Sequence, residues 1–267
     1  MARKSASAGT SSRKKRPARK ASKRTRATSH KGSAGPPRGR SADSVAVDGE
    51  DADVRSADAG ARLPIVGVGA SAGGLEAFSQ LLAALPGTFE MAIVLIPHLA
   101  PQHESALPTL LGSVTTLPVI QAVEGMPVQG GRVYVIPPNV QMGITDGRLH
   151  LNPRPTDRSQ YNPIDFFLRS LADSAQDQAI AVVLSGTASD GAAGVRDVKA
   201  AGGTTFAQSP ETAKYDGMPR AAIATGMVDL VLSPSEIGAE LAGLAAHPFA
   251  FARGQREPPQ GTITPPQ

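Results

Sequence analysis

The stretch Pro64-Ile-Val-Gly-Val-Gly-Ala-Ser-Ala-Gly-Gly74 limits what this chain can fold into more than any other. Ile65–Val68 is an apolar run without alternation, which fits a strand buried on both faces. It gives way to apolar residues at helical spacing: Leu75, Phe78, Leu81, Leu82 and Leu85. A strand that turns directly into a helix puts Ser71 on the turn, beside free N–H groups and the positive end of the helix dipole. Three roles suit that position: phosphate binding, a helix cap or a nucleophile.

The same alternation continues downstream. Apolar runs at Met91–Pro97, Leu117–Ala122, Arg132–Ile136, Ala179–Leu184, Thr204–Ala207 and Val228–Leu232 predict strands. Helices are predicted over Glu104–Leu111, from Pro163 through Leu171, up to Ala201, and over Pro219–Thr225 and Ser235–Ala246. Around Asp146-Gly147, Met142–Thr145 and Arg148–Leu151 read as a hairpin. The pattern predicts a three-layer, doubly wound α/β fold, Rossmann-like, with a mostly parallel sheet and a small antiparallel excursion.

Charge divides the chain differently. Residues 1–40 hold 14 of the 27 Lys and Arg side chains and no acidic residue, while the remainder sets 13 basic against 23 acidic side chains, a balance of −10. The net charge of +4 therefore belongs to a tail. Residues 1–62 lack large apolar side chains and are expected to be disordered, with Arg13–Arg24 resembling basic tails that bind nucleic acid nonspecifically through phosphates. A solvated tail without a specific partner explains the run equally well. The expected domain is 63–247, and 248–267 is expected to be a second disordered tail. The absence of Cys excludes disulfides, thiolate metal sites and a Cys nucleophile. No apolar run approaches the ~20 residues that span a bilayer, and the N-terminus lacks the apolar region of a secretory signal. The expectation is a soluble cytoplasmic protein without membrane insertion.

Ligands of open α/β sheets bind beyond the carboxyl ends of the strands. Three of the predicted strands end near Ser71, His98 and Asp190, a hydroxyl, an imidazole and a carboxylate, which are the parts of a nucleophile–base–orienter triad. Each has a plainer reading: Ser71 as an N-cap, His98 as a loop histidine, Asp190 as the cap of the helix after it. Ser185, Thr187 and Ser189 stand close by as alternatives. A dinucleotide site is the nearest rival, since Gly67-x-Gly69-x-x-x-Gly73 approaches the glycine fingerprint. The second strand, however, ends Leu95-Ile-Pro-His98 without the acidic residue that binds a ribose, and no phosphate-loop lysine follows the glycines.

Four motifs in order resemble the catalytic domain of CheB-type chemotaxis protein-glutamate methylesterases. They are Ile65–Glu76, Pro97-His-Leu-Ala-Pro-Gln-His-Glu-Ser105, Leu184-Ser-Gly-Thr-Ala-Ser-Asp-Gly191 and Tyr215-Asp-Gly-Met-Pro-Arg-Ala-Ala222, and the similarity spans about Leu63 to Leu241. The resemblance implies Ser71 as nucleophile, His98 as base and Asp190 as orienting carboxylate. It also implies a backbone oxyanion donor near Thr187, beside which Ala72 at the helix start is a second candidate, and neither metal nor cofactor. The implied reaction is hydrolysis of glutamate 5-O-methyl esters on chemoreceptors, with possible glutamine deamidation and a CheR-type methyltransferase as counterpart.

Ala72, His103-Glu-Ser105 and Asn162–Phe167 resemble the variants found in fused CheB–CheR proteins. Residues 1–62 are too short and polar for the receiver domain of classical members. Ala188 stands where many relatives carry Gly, and His103 and Asp216 are lesser candidates for the site's rim. The alternative from a different class is a catalytically idle α/β interaction module tethered by its basic tail.

Overall fold

All six residues of β1 (Ile65–Ala70) are buried, as a run without polar alternation requires. β1 lies at the centre of a seven-stranded parallel sheet, between β2 (Ala92–Pro97) and β7 (Ala179–Val183). Beyond β2 come β4 (Arg132–Val135) and the edge strand β3 (Val119–Gln121); beyond β7 come β8 (Thr204–Gln208) and β9 (Leu230–Leu232). The computed structural model describes residues 63–98, 106–155, 157 and 161–246. The tails 1–62 and 248–267, His103 and the start of the helix predicted from Glu104 lie outside the described residues.

Strand pleating sends alternate β1 residues to opposite faces. Val66, Val68 and Ala70 pack with α1 (Gly74–Ala83), α2 (Leu107–Gly112) and α6 (Pro234–Ala246). The other face carries α3 (Pro163–Ala175), α4 (Ala192–Ala200) and α5 (Gly217–Ile223). This is the predicted three-layer, doubly wound arrangement. The antiparallel excursion is the hairpin of β5 (Val140–Thr145) and β6 (Arg148–Pro153), turned by Asp146 and Gly147 at φ 49° and 68°, the geometry an Asp-Gly pair favours. It packs on α3, where the Ser170 hydroxyl accepts the Ile144 N–H at 3.0 Å. Several ends shift from the sequence reading. β3 shortens to three residues at the sheet edge, and α5 starts at Gly217 rather than Pro219.

Gly67 and Gly69 face α3. A Cβ on Gly69 would lie 2.3 Å from Cγ2 of Ile164, and one on Gly67 2.8 Å from Cδ2 of Leu168. The first two glycines of the dinucleotide-like pattern therefore sit inside the strand and let a helix lie close on the sheet. Ile164 is fully buried, and its Cγ2 is also among the atoms nearest to where a Cβ on Gly191 would stand. Gly69→Ala is expected to cost about 1–3 kcal/mol, seen as a fall in thermal midpoint of about 3–10 °C. An unchanged midpoint would contradict this packing account.

Candidate active site

Winding reverses at β1 and β7: the chain leaves β1 toward β2 over one face and leaves β7 toward β8 over the other. Such a switch point opens a crevice at the strands' carboxyl ends. The register brings three neighbouring ends level there, with Ala70 opposite Pro97 and Gly69 opposite Val183. The ladder continues one step outward. The Ser71 N–H donates to Ser185 O at 2.9 Å and the His98 N–H to Ala70 O at 2.7 Å, so the backbones of Ser71 and His98 are pinned.

The turn after β1 and the start of α1, Ser71 to Glu76, form an open depression of about 570 Å³ with His98 and Lys214. Ser71 does not cap α1: Gly73 occupies the N-cap at φ 74°, and no side chain bonds there. The Ser71 hydroxyl rests on the carbonyl oxygen of His98 at 3.4 Å. Asp190 Oδ2 lies 3.9 Å from His98 Nδ1, ion-pair reach but longer than a hydrogen bond. Ser71 thus lies against the backbone of His98, and Asp190 lies within ion-pair reach of its ring.

Asp190 is held by a helix other than the one expected. Its carboxylate accepts the N–H groups of Ile164 (3.2 Å) and Asp165 (2.9 Å), so it caps α3, while Asp165 accepts those of Gly191 (2.9 Å) and Gly194 (2.8 Å) and caps α4. Each helix start is closed by a carboxylate that the other segment supplies. Burial pushes the Asp190 carboxyl up to about 6 against the opposing pull of these N–H bonds. Burial, and then the Arg154 charge, hold His98 below its ordinary value, which favours the neutral imidazole.

The alternatives separate by environment. Ser185 is only 1% exposed. Its hydroxyl accepts the Tyr215 N–H at 3.0 Å and donates to Ala72 O at 2.9 Å, tying the β1 turn to the loop before α5. That makes it a clamp beneath the depression. Thr187 and Ser189 lie on an exposed loop with Ala188. Ala72 lies in the turn itself and lines the depression. Among the described residues, the N–H groups of Ala72 and Thr187 donate to no acceptor. Asp216 is a surface residue paired with Arg220 at 2.6 Å.

Ala188 adopts φ 68° in the left-handed region. An alanine there carries about 1–2 kcal/mol of steric cost, partly offset by the lower chain entropy of alanine when unfolded. Ala188→Gly is expected to stabilise the fold by about 0.5–1 kcal/mol, measured as a higher urea midpoint at unchanged slope. A lower midpoint would contradict the strain.

Sequence reasoning missed Asp165, Tyr161 and Arg154. An acidic residue in a first helical turn signals a cap, but not that it caps a different helix. The Tyr161 ring and the His98 imidazole meet in a T-shaped pair at 5.5 Å between centroids, and the Arg154 guanidinium lies 3.8 Å above the Tyr161 ring. No local pattern marks either residue.

Residues 66–241 match the family model of the CheB methylesterase. The chain is 34% identical over 184 residues to protein-glutamate methylesterase/protein-glutamine glutaminase 3 of Geobacter sulfurreducens, covering 67% of this chain and 50% of that protein. It is 38% identical over 185 residues to protein-glutamate methylesterase/protein-glutamine glutaminase 1 of Myxococcus xanthus, covering 68% and 54%. The chain therefore spans about half the length of these curated relatives. The crystal structure of the Thermotoga maritima CheB methylesterase catalytic domain superposes with a TM-score of 0.64 at 32% identity, covering 68% of this chain and 98% of that domain. With well over half of its length inside the family model, this chain belongs to the CheB methylesterase family.

Proposed function

We propose that the chain hydrolyses 5-O-methyl esters of glutamate side chains in a signalling protein of the chemoreceptor class, and deamidates glutamine at such sites, through Ser71, His98 and Asp190. The observation that carries the reading is the convergence at the switch point of Ser71, whose hydroxyl lies 3.4 Å from the His98 carbonyl oxygen, with His98, whose Nδ1 lies 3.9 Å from Asp190. His98, with Nδ1 toward Asp190, takes the Ser71 proton on its other nitrogen as Ser71 Oγ attacks the ester carbonyl. Asp190 stabilises the imidazolium that forms. The tetrahedral oxyanion is met by the N–H groups of Ala72 and Thr187, which have no acceptor among the described residues. Collapse expels methoxide, which leaves as methanol with the proton from His98. Water, deprotonated by His98, then attacks the acyl-serine and releases the glutamate carboxylate and Ser71. Deamidation follows the same course with ammonia as the leaving group.

Ester hydrolysis consumes what an S-methyl-donor-dependent carboxyl methyltransferase makes, so an enzyme of that class is the counterpart this activity requires. Among the described residues no helix is long and apolar enough to cross a membrane, and the depression is open enough to admit a protein side chain. The test is incubation of the full chain with receptor fragments labelled on their glutamyl methyl groups. Labelled methanol released in proportion to enzyme is the expected result. No release over buffer would favour the interaction-module reading.

A further inference from the structure

A column of three side chains leads from the hairpin to the base. Arg154 directly follows β6, and its N–H donates to Asn139 O at 3.1 Å, beside the start of β5. Its guanidinium carbon lies 3.8 Å over the centre of the Tyr161 ring, within cation–π range. Tyr161, 8% exposed, lies two residues before α3, and its hydroxyl donates to Val140 O at 3.3 Å. Its ring meets His98 at an interplanar angle of 66°, close to the favoured edge-to-face geometry. The hairpin thus contributes both ends of a brace: Asn139 and Val140 fix the backbone of Arg154 and the hydroxyl of Tyr161, and the Tyr161 ring bears on the imidazole.

We propose that Tyr161 and Arg154 are positioning residues for His98, the ring fixing the plane of the imidazole and the guanidinium both seating that ring and keeping a permanent positive charge beside the base.

The imidazole has few other restraints. Its Nδ1 is 3.9 Å from Asp190, too far for a hydrogen bond to fix the ring, and 34% of its side chain is exposed. Among the described residues, the Tyr161 ring contact is the restraint that remains. The guanidinium cannot give up its charge. It therefore disfavours a second cation on His98, acting in the same direction as burial. Asp190, from the loop before α4 and 3.9 Å from Nδ1, is the carboxylate that opposes it among the described residues. Glu76 and Lys214 face His98 across the depression with opposite signs. Arg154 weights this mixed field toward the neutral base. In relation to the proposed esterase, the column prepares the proton acceptor without touching substrate.

The proposal rests on the esterase reading only for its effect on rate, so the test has two independent arms. In the first, the histidines of the full chain are labelled with carbon-13, and the His98 resonance is identified by its loss in His98→Asn. Titration is expected to show the His98 midpoint moved to higher pH in Arg154→Gln and unmoved in Tyr161→Phe. An identical midpoint in wild type and Arg154→Gln overturns the charge role. In the second arm, Tyr161→Leu is expected to lower kcat by about 10–100-fold with little change in KM, as small misplacements of catalytic groups do. Tyr161→Phe, which keeps the ring, is expected to restore most of it. Full kcat in Tyr161→Leu, or equal loss in Phe and Leu, overturns the positioning role. If wild type releases no methanol, the esterase reading fails, and the titration arm alone decides for or against the column.

Discussion

Ser71→Ala is expected to lower methanol release by at least about 10⁴-fold, because removing the nucleophile of a serine triad removes the covalent route altogether. The fold should not notice. Ser71 is held through its N–H to Ser185 O, and among the described residues its hydroxyl makes one long bond, 3.4 Å, to His98 O, so the substitution removes little from the native state. The thermal midpoint of the variant should match wild type. Loss of activity with an unchanged midpoint separates chemistry from folding. Activity retained by Ser71→Ala would contradict the assignment, and Ser185 would be a poor substitute because its hydroxyl is committed to Ala72 and Tyr215.

Asp190 should behave differently, because one carboxylate serves both the base and the fold. Asp190→Ala is expected to lose about 10³–10⁴-fold in kcat and also about 1–2 kcal/mol of stability, since the N–H groups of Ile164 and Asp165 lose their acceptor. Asp190→Asn keeps one acceptor oxygen, so it should retain most of the stability while losing comparable activity. The pH dependence follows from the same group. Burial raises the Asp190 carboxyl from its ordinary 3.8 to about 6, so the folded state holds this proton more tightly than the unfolded one. Its contribution to stability is therefore full below about pH 4 and is withdrawn as pH rises to about 6. Activity runs the opposite way. Catalysis needs Asp190 ionised and His98 neutral, so kcat/KM should fall as pH drops through about 6, on a limb that belongs to the coupled pair. Denaturation midpoints and rates across pH 4–8 check both signs. A stability contribution that grows from pH 4 to 6 and persists in Asp190→Asn would contradict the buried-carboxyl account.

How much of this was legible beforehand depended on whether the cause was local. Unbroken apolar runs such as Ile65–Val68 and Ala179–Leu184 announce strands buried on both faces, and the small residues after them announce turns into helices. Those signals were enough for the layers and for placing Ser71 and His98 just past strand ends. The strand order was not written in any one segment. It places β7 beside β1 across more than a hundred residues, and that pairing brings Asp190 near His98. The glycines of β1 were visible, but their reason was not, because Ile164 and Leu168 arrive from α3. The reciprocal caps of Asp165 and Asp190 were hidden for the same reason: the default reading of an Asp before a helix is that it caps that helix. Ala188 was noticeable as a departure from a glycine position, and its φ of 68° gives that departure a physical meaning. Arg154 and Tyr161 lie on a loop and at a helix start whose sequences show no periodicity, so only the folded hairpin reveals that they bear on His98.

The central claim is that Ser71 is a nucleophile activated by His98. The most direct measurement is covalent capture: the full chain is treated with a fluorophosphonate ester at pH 7.5, digested, and the modified peptide sequenced by mass spectrometry. The account predicts a single adduct on Ser71, absent in Ser71→Ala and formed far more slowly in His98→Asn. No adduct on Ser71, or an adduct on Ser185 or Ser189 in its place, would contradict it.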